Sequence, residues 1–298
     1  MRIALLSRSG EIYSTRRIRE AAEGRGHEVL VVDPGRCYLG ISASRRSVSY
    51  RGIELVGFDA AIPRVAASTN AHGSAVVRQL EMAGVFCLNE SGPIARARDK
   101  LVCTQMLAEA GVEVPRTAFA HSPRYAEDLV RMVGGPPVVI KVLEGTQGVG
   151  VVLADTLRAA RSALEAFWGV DVSVLLQEYI HEAEGADLRF IVLGNETVAV
   201  MLRQSVGDEF RSNLHRGGTG ASAASSADER ALAVHAAQAL GLRCAGVDIV
   251  RSRRGPLVLE VNGSPGLEGV EEASGVDLAE RIVAYVEAQC VAGSSGPG

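Results

Sequence analysis

The first part of the chain alternates short apolar runs with amphipathic stretches. The apolar runs have the length and composition of buried strands, and the stretches between them have helical spacing. Strands that alternate with helices are typical of a mostly parallel sheet. We therefore predict an N-terminal α/β domain over residues 1–95. Its predicted elements are strands at 2–6, 28–33, 59–62 and 85–88, helices at 15–24 and 70–83, and a hairpin at 47–55.

Beyond residue 95 the pattern changes to that of two smaller α+β domains, which we place at 96–178 and 179–290. The Gly/Ser/Pro-rich tail 291–298 is expected to be disordered. The first of these domains is predicted to contain a helix from the N-cap Asp99 to Ala110, strands at 117–120, 138–142, 151–153 and 174–180, and helices at 124–133 and 156–167. The second is predicted to contain strands at 187–193, 197–202, 243–251 and 256–262, and helices at 227–240 and 277–288.

The composition narrows the class of protein. The chain has 298 residues, 47% of them hydrophobic, and a net charge of −4. This composition is globular, and the negative balance disfavours direct binding to nucleic acid. No apolar run reaches the ~20 residues of a membrane span, the start is too short for a signal peptide, and the cysteines form no CxxC pair. We therefore expect a cytoplasmic protein with no membrane segment, disulfide framework or zinc site.

The turn after the first strand excludes one common nucleotide site. It reads Ser7-Arg8-Ser9-Gly10-Glu11 and has a single glycine. The Gly-x-Gly-x-x-Gly turn, which lets a pyrophosphate approach a helix N-terminus, cannot be built there. NAD binding by the first domain is therefore rejected.

Two lysines stand out among the basic residues. Of 31 Lys and Arg residues, only Lys100 and Lys141 are lysines. They are either remnants of a bias towards arginine or positions that need a compact ammonium group. Lys141 lies in an otherwise apolar strand, four residues before Gly145, the first glycine of the glycine-rich loop Glu144–Gly150.

That loop contains three glycines, which let backbone N–H groups approach an anion. It lacks the Lys-Ser/Thr of a Walker A loop, and it joins two strands, so no helix dipole assists. Taken alone, it is equally compatible with an ordinary hairpin. With Lys141 close by, it is a candidate phosphate site.

An acidic hairpin gives the strongest chemical signal. If the strands 243–251 and 256–262 pair about residue 254, Asp248 lies opposite Glu260, and Asn262 shares a face with Glu260. Two facing carboxylates repel each other, whereas a divalent cation would reverse the sign of that interaction. Carboxylates and an amide oxygen suit Mg²⁺ or Mn²⁺. The alternative is a solvated polar face. The opposite face is expected to be core: Val247, Ile249, Leu257, Leu259 and Val261.

A basic loop, residues 210–218, follows Arg189 and Arg203 in the third domain. Cations of this kind suit a transferring phosphoryl group or an anionic acceptor. A solvated basic loop remains the alternative.

In order and spacing, these features resemble the ATP-grasp superfamily and, within it, the RimK-like ligases that add glutamates to the C-terminus of a small-subunit ribosomal protein. The resemblance extends from Met1 to about Ala288, and the basic loop is its most specific motif. The stretches that carry it are 88–91, 95–101, 142–148, 177–180, Asp187-x-Arg189, 210–218 and 260–269.

The resemblance implies a three-domain ATP-grasp fold in which two α+β domains clamp ATP. ATP would be bound by Lys100, Lys141, Gly145, Thr146, Gln147, Gly148, Glu178, Tyr179, Asp187, Arg211, Ser212 and Asn213. In this scheme Glu178 and Tyr179 offer backbone groups to adenine, and Asp187 holds the ribose. Arg211, Arg189 and Asn213 would be catalytic, with Arg211 at the oxyanion. Asp248, Glu260 and Asn262 would hold two Mg²⁺ or Mn²⁺.

The implied activity is a carboxylate–amine ligation through an acyl phosphate, with glutamate as the amine and poly-α-glutamate as a further product. One alternative acceptor is a small molecule or carrier protein. A different class is a nucleotide-binding sensor without turnover, against which the complete acidic set argues. The resemblance also implies a homo-oligomer, a tetramer.

Overall fold

The computed structural model describes residues 1–65, 70–143, 150–207, 211–212 and 217–294. Within these ranges no helix combines the length and apolar character needed to cross a membrane.

An α/β unit forms the N-terminal part of the chain, as predicted. Its strands are β1 (Arg2–Leu6), β2 (Glu28–Val32), β3 (Cys37–Ile41), β4 (Arg46–Tyr50), β5 (Ile53–Glu54), β6 (Ala60–Pro63) and β7 (Phe86–Cys87). Its helices are α1 (Tyr13–Gly24), α2 (Asn70–Met82) and α3 (Ser91–Arg98). The main sheet is parallel, in the order β2-β1-β6-β7, and β3, β4 and β5 form a separate antiparallel sheet.

The central strand β1 is buried on both faces, as in other parallel sheets. Ile3 and Leu5 pack with Ile18 of α1, whereas Ala4 and Leu6 pack with residues of α2. The predicted hairpin is present as β4–β5. It turns at Arg51 and Gly52, where φ is positive at both residues, as a tight two-residue turn requires.

The central unit is an antiparallel sheet covered by two helices. Its elements are α4 (Lys100–Glu109), β8 (Thr117–Phe119), α5 (Ala126–Met132), β9 (Val138–Val142), β10 (Val151–Ala154), α6 (Leu157–Gly169) and β11 (Val174–Glu178). The strand order is β10-β9-β11-β8. Val130 of α5 and Leu164 of α6 pack on Ile140 and Leu176, which gives this unit its own core.

The third unit is a five-stranded antiparallel sheet in the order β14-β13-β12-β15-β16. Its elements are β12 (Ala186–Leu193), β13 (Glu196–Gln204), β14 (Thr219–Ser222), α7 (Ala227–Ala239), β15 (Cys244–Ser252), β16 (Gly255–Asn262), α8 (Glu268–Ser274) and α9 (Leu278–Ser294). One face packs on the alanines of α7. The other face, through Ile191 and Met201, shares a core with β1 and with α9. The acidic hairpin is therefore fixed to the N-terminal unit.

Four short elements of the structure were not predicted from the pattern of apolar residues: β3, β14, α3 and α8. β14 consists of Thr, Gly, Ala and Ser, so it shows no apolar alternation and is held at the sheet edge by backbone pairing. α3 crosses the expected domain boundary at residue 95. α9 continues to Ser294, past residue 291 where the disordered tail was expected, because no proline interrupts the helix there.

Candidate active site

At its acidic end, the hairpin has the register that the sequence predicts. β15 and β16 pair antiparallel, with Asp248 opposite Glu260 and Gly246 opposite Asn262. Glu260 and Asn262 are two residues apart on one strand and lie on the same face. Two carboxylates and one amide are therefore adjacent on the sheet.

A β-bulge changes the other face of this hairpin. The register shifts after Asp248, so that Ile249 lies opposite Val258. The expectation that Leu257 and Leu259 lie on the core face with Val247 is therefore wrong, because one extra residue reverses which side chains point inward. The core face carries Val247, Ile249, Val258 and Val261.

Asp248 belongs to a buried network of four alternating charges. Arg189 Nε donates to Asp248 Oδ1 at 2.7 Å, and Arg189 Nη2 donates to Oδ2 at 2.6 Å. Arg203 Nη2 lies 2.7 Å from the same Oδ2, and Arg203 Nε donates to Asp187 Oδ1 at 2.8 Å. The pairing of β12 with its neighbours creates this arrangement, since Arg189 lies opposite Asp248 and Asp187 opposite Arg203.

The two arginines of the network keep Asp248 ionised. Burial alone would raise the pKa of Asp248, but the charges and hydrogen bonds of Arg189 and Arg203 outweigh burial and hold the pKa below the ordinary aspartate value. Burial likewise opposes the charge of Arg203, yet Asp248 and Asp187 raise its pKa above the ordinary arginine value. Asp248 and Arg203 are therefore charged at neutral pH.

Asp187 was expected to hold a ribose. In the structure its carboxylate is buried, and both oxygens accept hydrogen bonds from Arg203. Its contact with the ribose of a nucleotide stays a prediction. For that contact, a carboxylate oxygen of Asp187 would have to use a lone pair that does not already accept from Arg203.

Glu260 and Asn262 have different surroundings from Asp248. Both are partly buried, and neither side chain makes a hydrogen bond or ion pair with any residue in the described ranges. Among those residues, no group of three His, Cys, Asp or Glu side chains could hold a metal ion. A cation here would need the two carboxylates together with the Asn262 amide oxygen.

Lys141 lies in the middle of the central sheet. On β9 it is opposite Val151 of β10 and Leu175 of β11. Its Nζ donates to Gln177 Oε1 at 2.6 Å. This hydrogen bond fixes the ammonium on the face of the sheet that carries Gln177.

The charges around Lys141 place it near the acidic hairpin. Burial lowers the pKa of Lys141 below the ordinary lysine value, and the positive charge of Lys100 adds to that shift. The carboxylates of Glu260, Asp248 and Asp187 act in the opposite direction. Lys100, Glu260, Asp248 and Asp187 are therefore all close enough to Lys141 for their charges to act on it.

Two cations contact the ends of the strands that the glycine loop connects. Lys100 Nζ donates to Leu143 O at 3.4 Å, and Arg211 Nη1 donates to Val151 O at 3.2 Å. Lys100 is the first residue of α4, which Asp99 caps by accepting from two backbone N–H groups. Arg211, in contrast, comes from the third unit.

Glu178 is held at the junction of the central and third units. Its carboxylate accepts from Arg116 N at 2.9 Å, from Arg116 Nε at 2.6 Å and from Arg254. Burial opposes ionisation, but these donors lower the pKa of Glu178 below the ordinary glutamate value. Its own N–H donates to Arg116 O. The predicted adenine contact therefore cannot use this N–H. Tyr179 follows, with its ring edge-on to His181.

Several predicted site residues lie outside the described ranges: Gly145, Thr146, Gln147, Gly148 and Asn213. Ser212 lies within them and is partly buried. Gly150, at the end of the glycine loop, has φ 72°, and a Cβ there would lie 2.4 Å from Val142. Its backbone therefore requires glycine.

Asn89 has a structural role that the sequence motif did not reveal. Its Nδ2 donates to Cys244 O at 2.7 Å and to Gly263 O at 2.8 Å. Its Oδ1 accepts from the N–H groups of Arg243 and Cys244. This buried amide joins the N-terminal unit to the start of β15 and the end of β16. In the sequence, the only indication of Asn89 was its position after a strand, within the stretch 88–91 that carries the family resemblance.

Comparisons with known proteins point to one family. Residues 97–286 match the profile of the RimK-like ATP-grasp domain, and residues 1–94 match that of the RimK PreATP-grasp domain. A curated relative from Nitrosococcus oceani, named probable alpha-L-glutamate ligase, is 53% identical over 98% of this chain and 97% of its own length.

Solved structures share the fold. The RimK domain protein ATP-grasp from Sphaerobacter thermophilus superposes with a TM-score of 0.74 at 24% identity, covering 96% of this chain and 99% of its own. The ATP-grasp ligase PsnB, complexed with a phosphomimetic precursor variant, Mg and ADP, superposes with a TM-score of 0.73 at 22% identity, covering 97% and 98%. The fold predicted from the sequence is confirmed.

Proposed function

The chain belongs to the RimK-like ATP-grasp family, and from this premise we propose that it is an ATP-dependent ligase that joins the amine of glutamate to the C-terminal carboxylate of a small-subunit ribosomal protein. The observation that carries the proposal is the convergence of Lys100 and Lys141 on the acidic hairpin. The name of the Nitrosococcus oceani relative supports glutamate as the substrate. The ribosomal acceptor rests on the sequence resemblance.

The proposed reaction has two steps. An acceptor carboxylate oxygen attacks the γ-phosphorus of ATP, and the bond to the ADP oxygen breaks, which yields an acyl phosphate. The glutamate amine then attacks the acyl carbon, the amine loses a proton, and phosphate leaves. Lys100 and Lys141 are suited to neutralise phosphate charge in the first step, and Arg211 to stabilise the oxyanion in the second. No protein nucleophile is needed.

The contacts of Arg189 favour a positioning role over the catalytic role that the resemblance implies. Its Nε and Nη2 both donate to Asp248. We therefore assign it mainly to the orientation of that carboxylate. Asn213 lies outside the described residues, and its role beside Arg211 at the acyl centre stays a prediction.

The donor set fits two Mg²⁺ or Mn²⁺ ions. Glu260 and Asn262 have no competing partner among the described residues, and Asp248 Oδ1 accepts from one donor only, so it keeps a lone pair for a metal. All three are the hard oxygen ligands that these ions prefer. Bound there, divalent ions would neutralise charge on the phosphate oxygens.

The test combines the purified protein with ATP, Mg²⁺, glutamate and a synthetic peptide that reproduces a ribosomal-protein C-terminus. We expect ADP and phosphate release, and a mass series in which successive products differ by one glutamate residue. Omission of the peptide tests for poly-α-glutamate. Nucleotide binding without ADP formation, with any acceptor offered, would identify a sensor instead. Products on a small molecule or carrier protein alone would replace the ribosomal acceptor.

A cellular comparison would identify the acceptor. Ribosomal proteins from cells with and without this chain are compared by intact mass. The proposal requires a glutamate extension that depends on the chain. Identical masses would reject the ribosomal acceptor. They would not reject the ligase activity, which the assay with purified protein tests separately.

A further inference from the structure

Arg64 places a positive charge at the edge of the N-terminal sheet without a matching acid. It follows β6, and its backbone N–H donates to Leu6 O at 2.8 Å. Its Nη2 donates to Pro265 O at 2.6 Å. Among the described residues, no carboxylate lies within ion-pair distance of this guanidinium.

This charge is costly for the protein by itself. Burial lowers the pKa of Arg64 below the ordinary arginine value, and the one described group that opposes this shift is Cys244, not a carboxylate. Arg189 and Arg203, in comparison, are neutralised by aspartates. A partly buried cation held only by a carbonyl gains most from an anionic ligand.

The position of Arg64 is the one at which α/β sheets bind ligands. In the order β2-β1-β6-β7, the chain leaves β1 for β2 on one side and later returns with β6 on the other. The carboxyl ends of β1 and β6 therefore border a topological switch point, where a crevice opens. Ser7, which follows β1, and Arg64, which follows β6, lie at this place.

The N-terminus of α1 opens onto the same edge. The Ser7 hydroxyl is 2.7 Å from that of Thr15, in the first turn of α1. That turn contains no acidic residue, and Ile12 at the N-cap position provides no side-chain cap. The helix dipole therefore adds a positive field to the charge of Arg64.

Arg64 also contacts the loop that leaves the acidic strand. Pro265 comes three residues after Asn262, and a Cβ at Gly246, opposite Asn262, would lie 2.7 Å from the Pro265 ring. Pro265 therefore packs directly beside the end of the acidic hairpin. Arg64, from the N-terminal unit, contacts this loop through its hydrogen bond to Pro265 O.

We propose that Arg64 binds a carboxylate of the glutamate whose amine is ligated, at the edge formed by the ends of β1 and β6. The proposal rests on the proposed ligase function. When its amine is acylated, glutamate keeps two carboxylates that take no part in the reaction, and each needs a cation or solvent. The lysines of the central unit are directed at phosphate, whereas Arg64 supplies a cation from the N-terminal unit.

The test measures KM values for R64Q and R64K with ATP, Mg²⁺, free glutamate and a short peptide ending in two glutamates. Loss of a charged hydrogen bond in R64Q is expected to raise the KM for glutamate about 10- to 100-fold. The KM values for ATP and for the peptide should stay unchanged. R64K, which keeps the charge but loses the planar fork, should fall between wild type and R64Q.

S264A is the matched control. Ser264 Oγ donates to Pro63 O at 3.2 Å and ties the same two segments together without a charge. If Arg64 acts by binding substrate, S264A leaves the KM for glutamate unchanged. An equal rise in S264A would show that loosening of the loop, rather than loss of the cation, is responsible, and would overturn the proposal.

Two glutamate analogues identify the carboxylate. Glutamine lacks the γ-carboxylate and isoglutamine lacks the α-carboxylate. Wild type should discriminate against the analogue that lacks the group bound by Arg64, and R64K should lose part of this preference even if R64Q does not fold. Equal preferences in wild type and R64K overturn the proposal, as does a rise confined to the peptide KM. A wild type that ligates no glutamate refutes the proposed function instead.

Discussion

Asp248 and Glu260 face each other across the acidic hairpin, but their charges have different surroundings. Asp248 accepts hydrogen bonds from Arg189 and Arg203, whereas Glu260 contacts no charged or hydrogen-bonding partner among the described residues. Replacement of either by its amide removes one negative charge and hardly changes the side-chain volume. Asp248→Asn and Glu260→Gln therefore separate a role in folding from a role in metal binding.

The structure gives the size of the difference. Breaking a buried ion pair by removing one partner costs about 3–5 kcal/mol. Asparagine keeps one acceptor oxygen for Arg189 or Arg203, so we expect Asp248→Asn to lower the free energy of unfolding by about 3 kcal/mol, the low end of this range. This loss corresponds to a Tm lowered by about 5–10 °C. Glu260→Gln removes no partner, so its Tm should change by less than about 2 °C.

Both variants should lose turnover. Charge stabilisation by a bound divalent ion is worth several kcal/mol, so loss of a ligand should lower kcat at least about 100-fold. ADP release measures turnover, and thermal unfolding without Mg²⁺ measures stability. Glu229→Gln is the matched control, since Glu229 is a buried acid paired with Arg251 at the start of α7. It should lower Tm and leave kcat unchanged.

Two outcomes would refute this reasoning. Equal losses of Tm in Asp248→Asn and Glu260→Gln would show that the arginine network does not stabilise the fold through Asp248. Full turnover in Glu260→Gln would reject the acidic hairpin as the metal site, whatever the Tm values.

Three further predictions follow from single contacts. Lys141→Arg should weaken binding of an ATP analogue at least tenfold in a fluorescence titration, because the larger planar guanidinium cannot occupy the position beside Gln177. Wild-type affinity in this variant would show that the position does not need the compact ammonium group of lysine. Asn89→Ala loses four buried hydrogen bonds and should cost at least about 3 kcal/mol in denaturant unfolding; an unchanged midpoint would contradict its bridging role. The pKa of Asp248 is lowered in the folded protein, so its contribution to stability is complete above the ordinary aspartate pKa of about 3.9 and is lost as the pH falls below that value. Between pH 6 and pH 3, Asp248→Asn should therefore lose less free energy of unfolding than the wild type. Equal losses would show that the pKa of Asp248 is not lowered by folding.

Asp248 faces Glu260, as a pairing centred on residue 254 predicts, but the turn alone does not produce this register. The turn pairs Ser252 with Gly255, which without the bulge would set Asp248 opposite Leu259. The bulge itself has no signal in the sequence, because the side chains next to it, Ile249, Val258 and Leu259, are all apolar and would suit either face. Local pattern thus gave the chemistry of the hairpin but not the complete arrangement of its core face.

The partners of Asp248 could not be predicted in the same way. Arg189 is 59 positions away in the chain, and its contact with Asp248 exists only because β12 pairs with β15. From the sequence, Arg189 and Arg203 are simply cations near a basic loop, suited to a phosphoryl group. The order of strands in the sheet determines that they neutralise Asp248 and Asp187 instead.

This neutralisation decides what charge the site offers to a nucleotide. Asp187 and Asp248 are balanced within the sheet by Arg203 and Arg189, so the remaining acid is Glu260, whose charge acts on Lys141 together with the opposite charge of Lys100. The balance of these three groups is positive. A positive site repels a bare divalent cation but attracts one that is accompanied by phosphates. Under the proposed function, this charge balance favours a divalent ion that enters together with ATP. Glu260 and Asn262 would then be its first protein ligands, while Asp248 is already held in place by its arginines.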